Sequence, residues 1–446
     1  MFSNLQTKIL RFLNRVPIKR REKLNKTKVG YKFKQNQESP QKDNAKKGVI
    51  IIGIVIFVMV ISIIANIVLA ILQYSPKSFP GSVESNSGER FDQRIKTIII
   101  LSLDRPDESH AFVDGLAVVS YNFDTQKTAI FSINPDLKIY STRLGKDLFI
   151  RTAFNDIFPT DKKIEYFTEG IESLLAIKID NYIVTDLNTF NTFSKYFAPI
   201  NISVDMEVKD QDVVNLPDKQ SKQWIKGTAL LKGDDQLEFL ASNNNGRDEQ
   251  LNRQALVVKK MLLNVFNIQN IYNVPNILQV MKTGFFYTDI TLEEFLKISI
   301  EIFQLKEGNI EYGFTKAKAY YRVASVTHYP VFGINFSIID KDIGNVFSDI
   351  LIFKEQARIE LLNGSSVKGL ASNRARWVGN TGARIIKVGN SYESEKTTKI
   401  YCEDIDKFPK TLNAIQRIFD GKALLINKDY NQRHLGDIII VIGDDY

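Results

Sequence analysis

Between Gly48 and Leu72 the chain runs for 25 residues without a charge, and only Ser62 and Asn66 interrupt it as clearly polar side chains. At about 1.5 Å per residue a helix of that length rises roughly 37 Å, against a hydrocarbon core of about 30 Å, so it can span a bilayer with some tilt. The apolar part of a cleaved signal sequence is only about 7–15 residues long and starts near the terminus. This run is longer and follows 47 largely polar residues, which predicts an uncleaved transmembrane helix over 48–72. Ser75 to Arg90 mixes Pro, Gly and Ser, so 73–95 reads as a flexible linker.

From Lys96 the pattern changes. Thr97–Asp104 is a buried-strand run ending on an acid, and further strands are predicted at Gly115–Tyr121 and Thr128–Ile133, around a turn. Ile164–Leu175 has helical spacing, Asn181–Thr185 returns to strand, and Ile202–Val208 alternates like a half-buried strand. Leu251–Phe266 predicts a helix, and Thr288–Leu305 an amphipathic one opening on an N-cap residue. The aromatic and β-branched stretch from Tyr312 to Phe336 predicts strands. Near Ile350 another unit begins, with strands at Arg358–Leu362, Ala383–Val388, Thr398–Cys402 and Asp437–Ile442, and helices at Leu370–Asn380 and Phe408–Phe419. The expected architecture is one transmembrane helix, a mixed-sheet α/β domain over 96–345 and a small α/β domain over 350–446.

The net charge of +8 changes meaning once it is located. Residues 1–47 hold 14 Lys and Arg against 3 acids, a charge of +11, which leaves 45 bases against 48 acids and a charge of −3 beyond. Lys42, Lys46 and Lys47 precede the apolar run, whereas Lys77 is the one base close behind it before Arg90. Positive flanks stay cytoplasmic, so the tail is expected inside the cell membrane and both domains outside it. Lys19, Arg20, Arg21, Lys23, Lys26 and Lys28 fit anionic lipid headgroups, at about 1 kcal/mol each. Apolar residues from Leu5 to Val16 suit a short helix lying on the membrane, with a solvated disordered tail as the alternative. Nothing in the tail has a DNA-reading motif, so no specific nucleic-acid partner is expected.

A single cysteine, Cys402, excludes an intramolecular disulfide and fits a packed small hydrophobe better than a nucleophile. Gly-x-Ser-x-Gly and His-Glu-x-x-His are both absent. Gly364 to Gly369 has the spacing of a phosphate loop, yet Leu370-Ala371 stands where Lys-Ser/Thr should follow. A tight turn needing glycine is the favoured reading, with a carboxylate or sugar phosphate at the helix start as the other.

Several segments in matching order resemble the LytR-CpsA-Psr family over roughly residues 96–310. They are the strand ending in Asp104, the unit FVDGLAVVSYNFDTQKTAIFSI with Asp114, AIKIDNYIVTDLNTF, GTALLKGDDQLEFL, and Arg253-Gln254 opening a late helix. IELLNGSSVKGLASNRARWVGNTGARIIKVGN and the closing GDIIIVIGDD are similar to the family's LytR C-terminal domain. The resemblance implies transfer of a glycopolymer from a polyprenyl-pyrophosphate carrier to the cell wall. It also implies magnesium on Asp104 and Asp114, and arginines on the phosphates. Without the resemblance, the two aspartates would read as a strand-end residue and a turn residue.

The anion side departs from the family. Pro135 stands at an arginine position, Ala241 and Asn243 replace an Arg-x-Arg pair, and Gln250 replaces a fourth; Arg253 and Gln254 stay in place. Planar, bidentate guanidinium is the favoured pyrophosphate ligand. At about 1.5–3 kcal/mol for each charge-assisted bond, four losses predict impaired or altered transfer. Arg247 lies close by, and Arg105, Arg143 and Arg151 lie in loops near the expected site. The expected phosphate ligands are therefore Arg253, Gln254, Arg247 and Arg151. An active magnesium-dependent transferase using non-standard arginines, and a non-catalytic lipid- or glycan-binding module, are the alternatives.

Overall fold

Isoleucine-rich β1 (Ile95–Asp104) alternates as a central strand should: Ile99, Leu101 and Leu103 are buried on one face, while Ile98 and Ile100 are half-buried on the other. In this computed structural model the described residues are 62, 65–82, 94–104, 111–141, 144–156, 162–209, 223–242, 245–265, 271–323 and 331–446. The basic tail and most of the expected transmembrane run lie outside them. Residues 65–72 are helical, and among the described residues no helix is long and apolar enough to cross a membrane.

After β1 the first domain runs β2 (Phe112–Asn122), β3 (Lys127–Ser132), α1 (Ile150–Asp156), α2 (Lys163–Leu175), β4 (Asn181–Asp186), α3 (Asp235–Ala241), α4 (Arg247–Val265), β5 (Phe286–Thr288), α5 (Leu292–Phe303), β6 (Ile310–Phe314) and α6 (Phe336–Phe347). Six strands form one mixed sheet in the order β5-β4-β1-β2-β3-β6. β1 is antiparallel to β2 and parallel to β4, and β3 is parallel to β6. Phe154 of α1, Phe167 of α2 and Ile343 of α6 close the core on one face, and Ala255 of α4 packs with Ile130 and Ile310 in a second cluster.

Three expectations shift here. The strand expected over 202–208 is Ile200–Val204, paired with Gly227–Leu231 and broken by a bend at Asp205. The cap expected at Thr288 is at Thr291, whose capping box with Glu294 opens α5. Thr288 belongs instead to β5 and donates its hydroxyl to the Tyr182 carbonyl.

The third shift concerns the linker. Tyr74 stacks on Phe295 at 5.0 Å and donates to the Ile290 carbonyl, and the Phe79 ring meets both Phe154 and Tyr287. The Lys77 carbonyl accepts from Thr288 N, and Phe79 N donates to the Tyr182 hydroxyl. Pro- and Gly-rich composition concealed two aromatic anchors, so residues 74–82 are seated on the sheet edge rather than flexible.

The second domain contains β7 (Arg358–Asn363), α7 (Leu370–Asn380), β8 (Arg384–Asn390), β9 (Lys399–Cys402), α8 (Pro409–Ile418), β10 (Leu424–Ile426) and β11 (Ile438–Ile442). The sheet order is β8-β7-β11-β9-β10, with β7 parallel to both neighbours. β11, parallel to β7 and antiparallel to β9, is buried at every position, as an unbroken apolar run at the centre of a covered sheet requires. Cys402 is buried in β9 beneath α8.

Ser62–Tyr446 forms one contact unit, and a helix end joins its two domains. The last carbonyls of α2 have no intrahelical donors. Those of Ser173 and Leu174 accept from Arg376 Nη1 and Nη2 at 3.2 and 2.9 Å, and that of Leu175 from Asn380 Nδ2 at 2.9 Å, both donors coming from α7. Arg376 also grips Asp340 of α6 through two bonds of 2.8 and 2.9 Å. Arg417 reaches Asp180 at 2.7 Å.

Arg376→Ala strands the Asp340 carboxylate and two helix carbonyls. We expect a loss of about 3 kcal/mol, seen in urea denaturation of the purified protein as one transition splitting into two. Asp289 accepts from Tyr182 N, and burial pushes its carboxyl from 3.8 up to about 6. A raised carboxylate contributes stability that is complete below the unfolded value and lost as pH rises through about 6. Melting temperatures of Asp289→Asn are therefore expected to fall less than those of the wild type between about pH 4 and 7.

Candidate functional site

The site lies where β1 and β3 end and β2 begins. The ladder pairs Ser102 with Gly115 and Leu103 with Val113, so Asp114 has no partner on β1. A β-bulge of this kind re-aims one side chain. A Cβ on Gly115 would lie 3.3 Å from that of Ser102, so a small residue suits the crossing. Buried positions on β2 accordingly fall at 113, 116 and 118, and the step of three in FVDGLAVV is the sequence signal of the bulge.

Asp104, at the end of β1, is half-buried and opposite Phe112. Its charge acts on Asp114. Burial pushes the Asp114 carboxyl above its usual range, the Asp104 charge pushes the same way, and the nearby Arg151 and Arg247 oppose both without prevailing.

Arg151 is the second residue of α1 rather than a loop residue. Its Nη1 lies 3.1 Å from Asp114 Oδ1, and its Nε donates to Asp136 Oδ1 at 2.8 Å. Its backbone N donates to the Pro135 carbonyl. The turn at Pro135, where the resemblance leads one to expect arginine, thereby holds Arg151 against the site. Asn134 supports the turn by accepting from Asp136 N, while its own N donates to Thr315 Oγ1 and its amide to the Tyr320 hydroxyl.

Arg247 opens α4. Its Nε donates to Asn134 Oδ1 at 3.1 Å and its Nη1 to Gln250 Oε1 at 2.5 Å, while Nη2 is 3.7 Å from Asp136 Oδ2. That Nη2 is buried and makes no hydrogen bond. The structure thus brings Asp104, Asp114, Arg151 and Arg247 together. Asp136 joins them; its role is not visible in linear spacing.

Arg253 is placed differently. It is buried, and it gives Nε to the Phe239 carbonyl at 3.2 Å and Nη2 to the Ser242 carbonyl, satisfying the end of α3. Burial lowers its guanidinium to about 10. Gln250 is likewise spent, on the Leu240 and Ala241 carbonyls. Gln254 is half-buried at the next position of α4, about 100° around the helix from Arg253. Arg105, Arg143 and Asn243 lie outside the described residues.

Two carboxylates, Asp114 and Asp136, meet the guanidiniums of Arg151 and Arg247, and a third, Asp104, acts on Asp114. Among the described residues no three His, Cys, Asp or Glu are arranged to hold a metal ion. Asp104 and Asp114 are the carboxylates that could offer oxygen donors to a hard cation such as magnesium.

A model of the LytR_cpsA_psr family matches residues 77–329, and one described as LytR cell envelope-related transcriptional attenuator matches 356–446. Solved structures similar to the chain include B. subtilis TagV, at 16% identity over 56% of this chain and 96% of that one (TM-score 0.45). Protein gbs0355 from Streptococcus agalactiae has 16% identity over 56% and 88% (TM-score 0.45). TagT bound to LIIa-WTA has 15% over 61% and 96% (TM-score 0.44). No curated protein sequence matches the chain.

The two arginine environments should separate on substitution. Arg253→Ala orphans two carbonyls and is expected to cost about 2–3 kcal/mol in chemical denaturation. Arg151→Ala, at a side chain one-third exposed, should cost under about 1 kcal/mol.

Proposed function

The chain belongs to the LytR-CpsA-Psr family, and from that premise we propose that it serves in cell-envelope glycopolymer assembly as an altered phosphotransferase. It takes a glycopolymer from a polyprenyl-pyrophosphate carrier, and Arg151 and Arg247 grip the phosphates in place of the family's missing arginines. The observation that carries this reading is the buried, unbonded Nη2 of Arg247, beside Asp114 and Arg151. With the Asp136 carboxylate 3.7 Å away, too far for a hydrogen bond, that donor is left unsatisfied at a cost, and a phosphate oxygen would satisfy it.

Magnesium held by Asp104 and Asp114 would neutralise pyrophosphate charge when bound. Arg151 comes to the phosphates pre-oriented by Asp136 and the Pro135 carbonyl. Arg247 is pre-oriented by Asn134 and Gln250. Such groups stabilise developing charge without reorganising. An apolar surface suited to the lipid continues along the sheet. Ile98 faces Val119 and Ile100 faces Ala117, all half-buried, and α5, apolar along much of its length, buries none of its residues.

Residues 48–72 would anchor the protein, with the basic tail on anionic cytoplasmic lipid and both domains toward the wall. Purified full-length protein with magnesium should transfer polymer from a lipid-pyrophosphate donor. Arg247→Ala and Arg151→Ala should each reduce turnover about tenfold or more, and Asp104→Ala should abolish function in cells. Donor binding without turnover in the wild type would favour a non-catalytic lipid or glycan module; turnover indifferent to both arginines would remove their role.

A further inference from the structure

We infer that the second domain carries a separate ligand site, a saccharide-binding cleft at the carboxyl ends of the parallel strands β7 and β8. A cleft of about 520 Å³ opens there. Its volume falls within the roughly 300–1,000 Å³ of ligand pockets, and crevices outside the carboxyl ends of strands are where open α/β sheets bind ligands.

The walls are built before any ligand arrives. Ser391 N donates to the Asn363 carbonyl at 2.9 Å and Glu395 N to the Gly364 carbonyl at 2.8 Å, tying the loop after β8 to the loop after β7. Asn363 folds its own loop, accepting from Ser365 N and donating to the Val367 carbonyl. Ser366 fastens that loop to Asp444 through its N and Oγ at 2.8 and 2.9 Å. A Cβ at Gly364 would lie 3.2 Å from the Ile442 carbonyl oxygen, so the β7 loop lies tightly against the end of β11. Fixed walls reduce the entropy that binding must overcome.

The lining names the ligand class. It consists of serines, the amides of Asn363 and Asn390, Lys368, Glu393 and Tyr392, with glycines between them and no aliphatic side chain or arginine. An acyl chain would find no apolar surface. A polyphosphate would meet one lysine offset by one carboxylate. With Asn363, Ser365 and Ser366 engaged in the walls, the Asn390 amide and the Ser394 hydroxyl, each both donor and acceptor, match the hydroxyls of a neutral pyranose, plain or N-acetylated. Tyr392 is 90% exposed at the rim, leaving a ring face free to stack on the C–H face of a sugar. An aromatic so open to water gains most when such a partner covers it.

The site is distinct from the Asp104–Asp114 cluster and does not rest on the transfer reading. The test is calorimetric titration of the full-length protein, in a detergent without a sugar headgroup, with N-acetylglucosamine tetramer in one arm and cellotetraose in the other. At least one should bind. Tyr392→Ala should weaken it about tenfold or more, Tyr392→Phe should stay within about twofold of the wild type, and Arg247→Ala should leave it unchanged. The inference is overturned if neither tetramer binds at millimolar concentration, if Tyr392→Ala binds as tightly as the wild type, or if Arg247→Ala abolishes binding.

Discussion

An antiparallel ladder that loses step by one residue places the aspartate left over where regular pairing would not. Up to Ser102 and Gly115 the β1–β2 ladder is regular; beyond it Val113 meets Leu103, and Asp114 is the residue in excess. Without that step, strict alternation would put Val113 on the face opposite Leu116. With it, both are buried and the carboxylate is free to meet Asp104, Arg151 and Arg247. The rest of the site is arranged around this point. The turn after β3 presents Asp136, α1 delivers Arg151 and α4 delivers Arg247.

The arginine positions expected from the family resemblance illustrate what linear spacing can lose. Pro135, Ala241 and Gln250 stand where that resemblance leads one to expect arginine. In space Pro135 holds Arg151 by its carbonyl, and Gln250 holds Arg247 by its side chain. Both residues therefore support guanidiniums that arrive from other elements. Arg253, an expected phosphate ligand, gives two donors to backbone carbonyls.

Much of the fold was legible because its signals are local. The runs around β1, β4, β7 and β11, the helix α2 and the amphipathic α5 each carry their period within a single segment. What was hidden depends on partners far along the chain. Residues 74–82 look like a tether until Phe79 finds Phe154 and Tyr287. Thr288 looks like a cap until its hydroxyl is claimed by the Tyr182 carbonyl. β10 has only three residues, too few for a period to show. Arg151 looked like a loop residue because its tie to Pro135 crosses a turn and a hairpin.

The bond from Arg376 and Asn380 to the end of α2 has a consequence for motion. Two domains joined by a slack strand would let each surface follow its ligand independently. Here the second domain completes a helix of the first, so the two cannot swing apart without stranding backbone carbonyls at the end of α2.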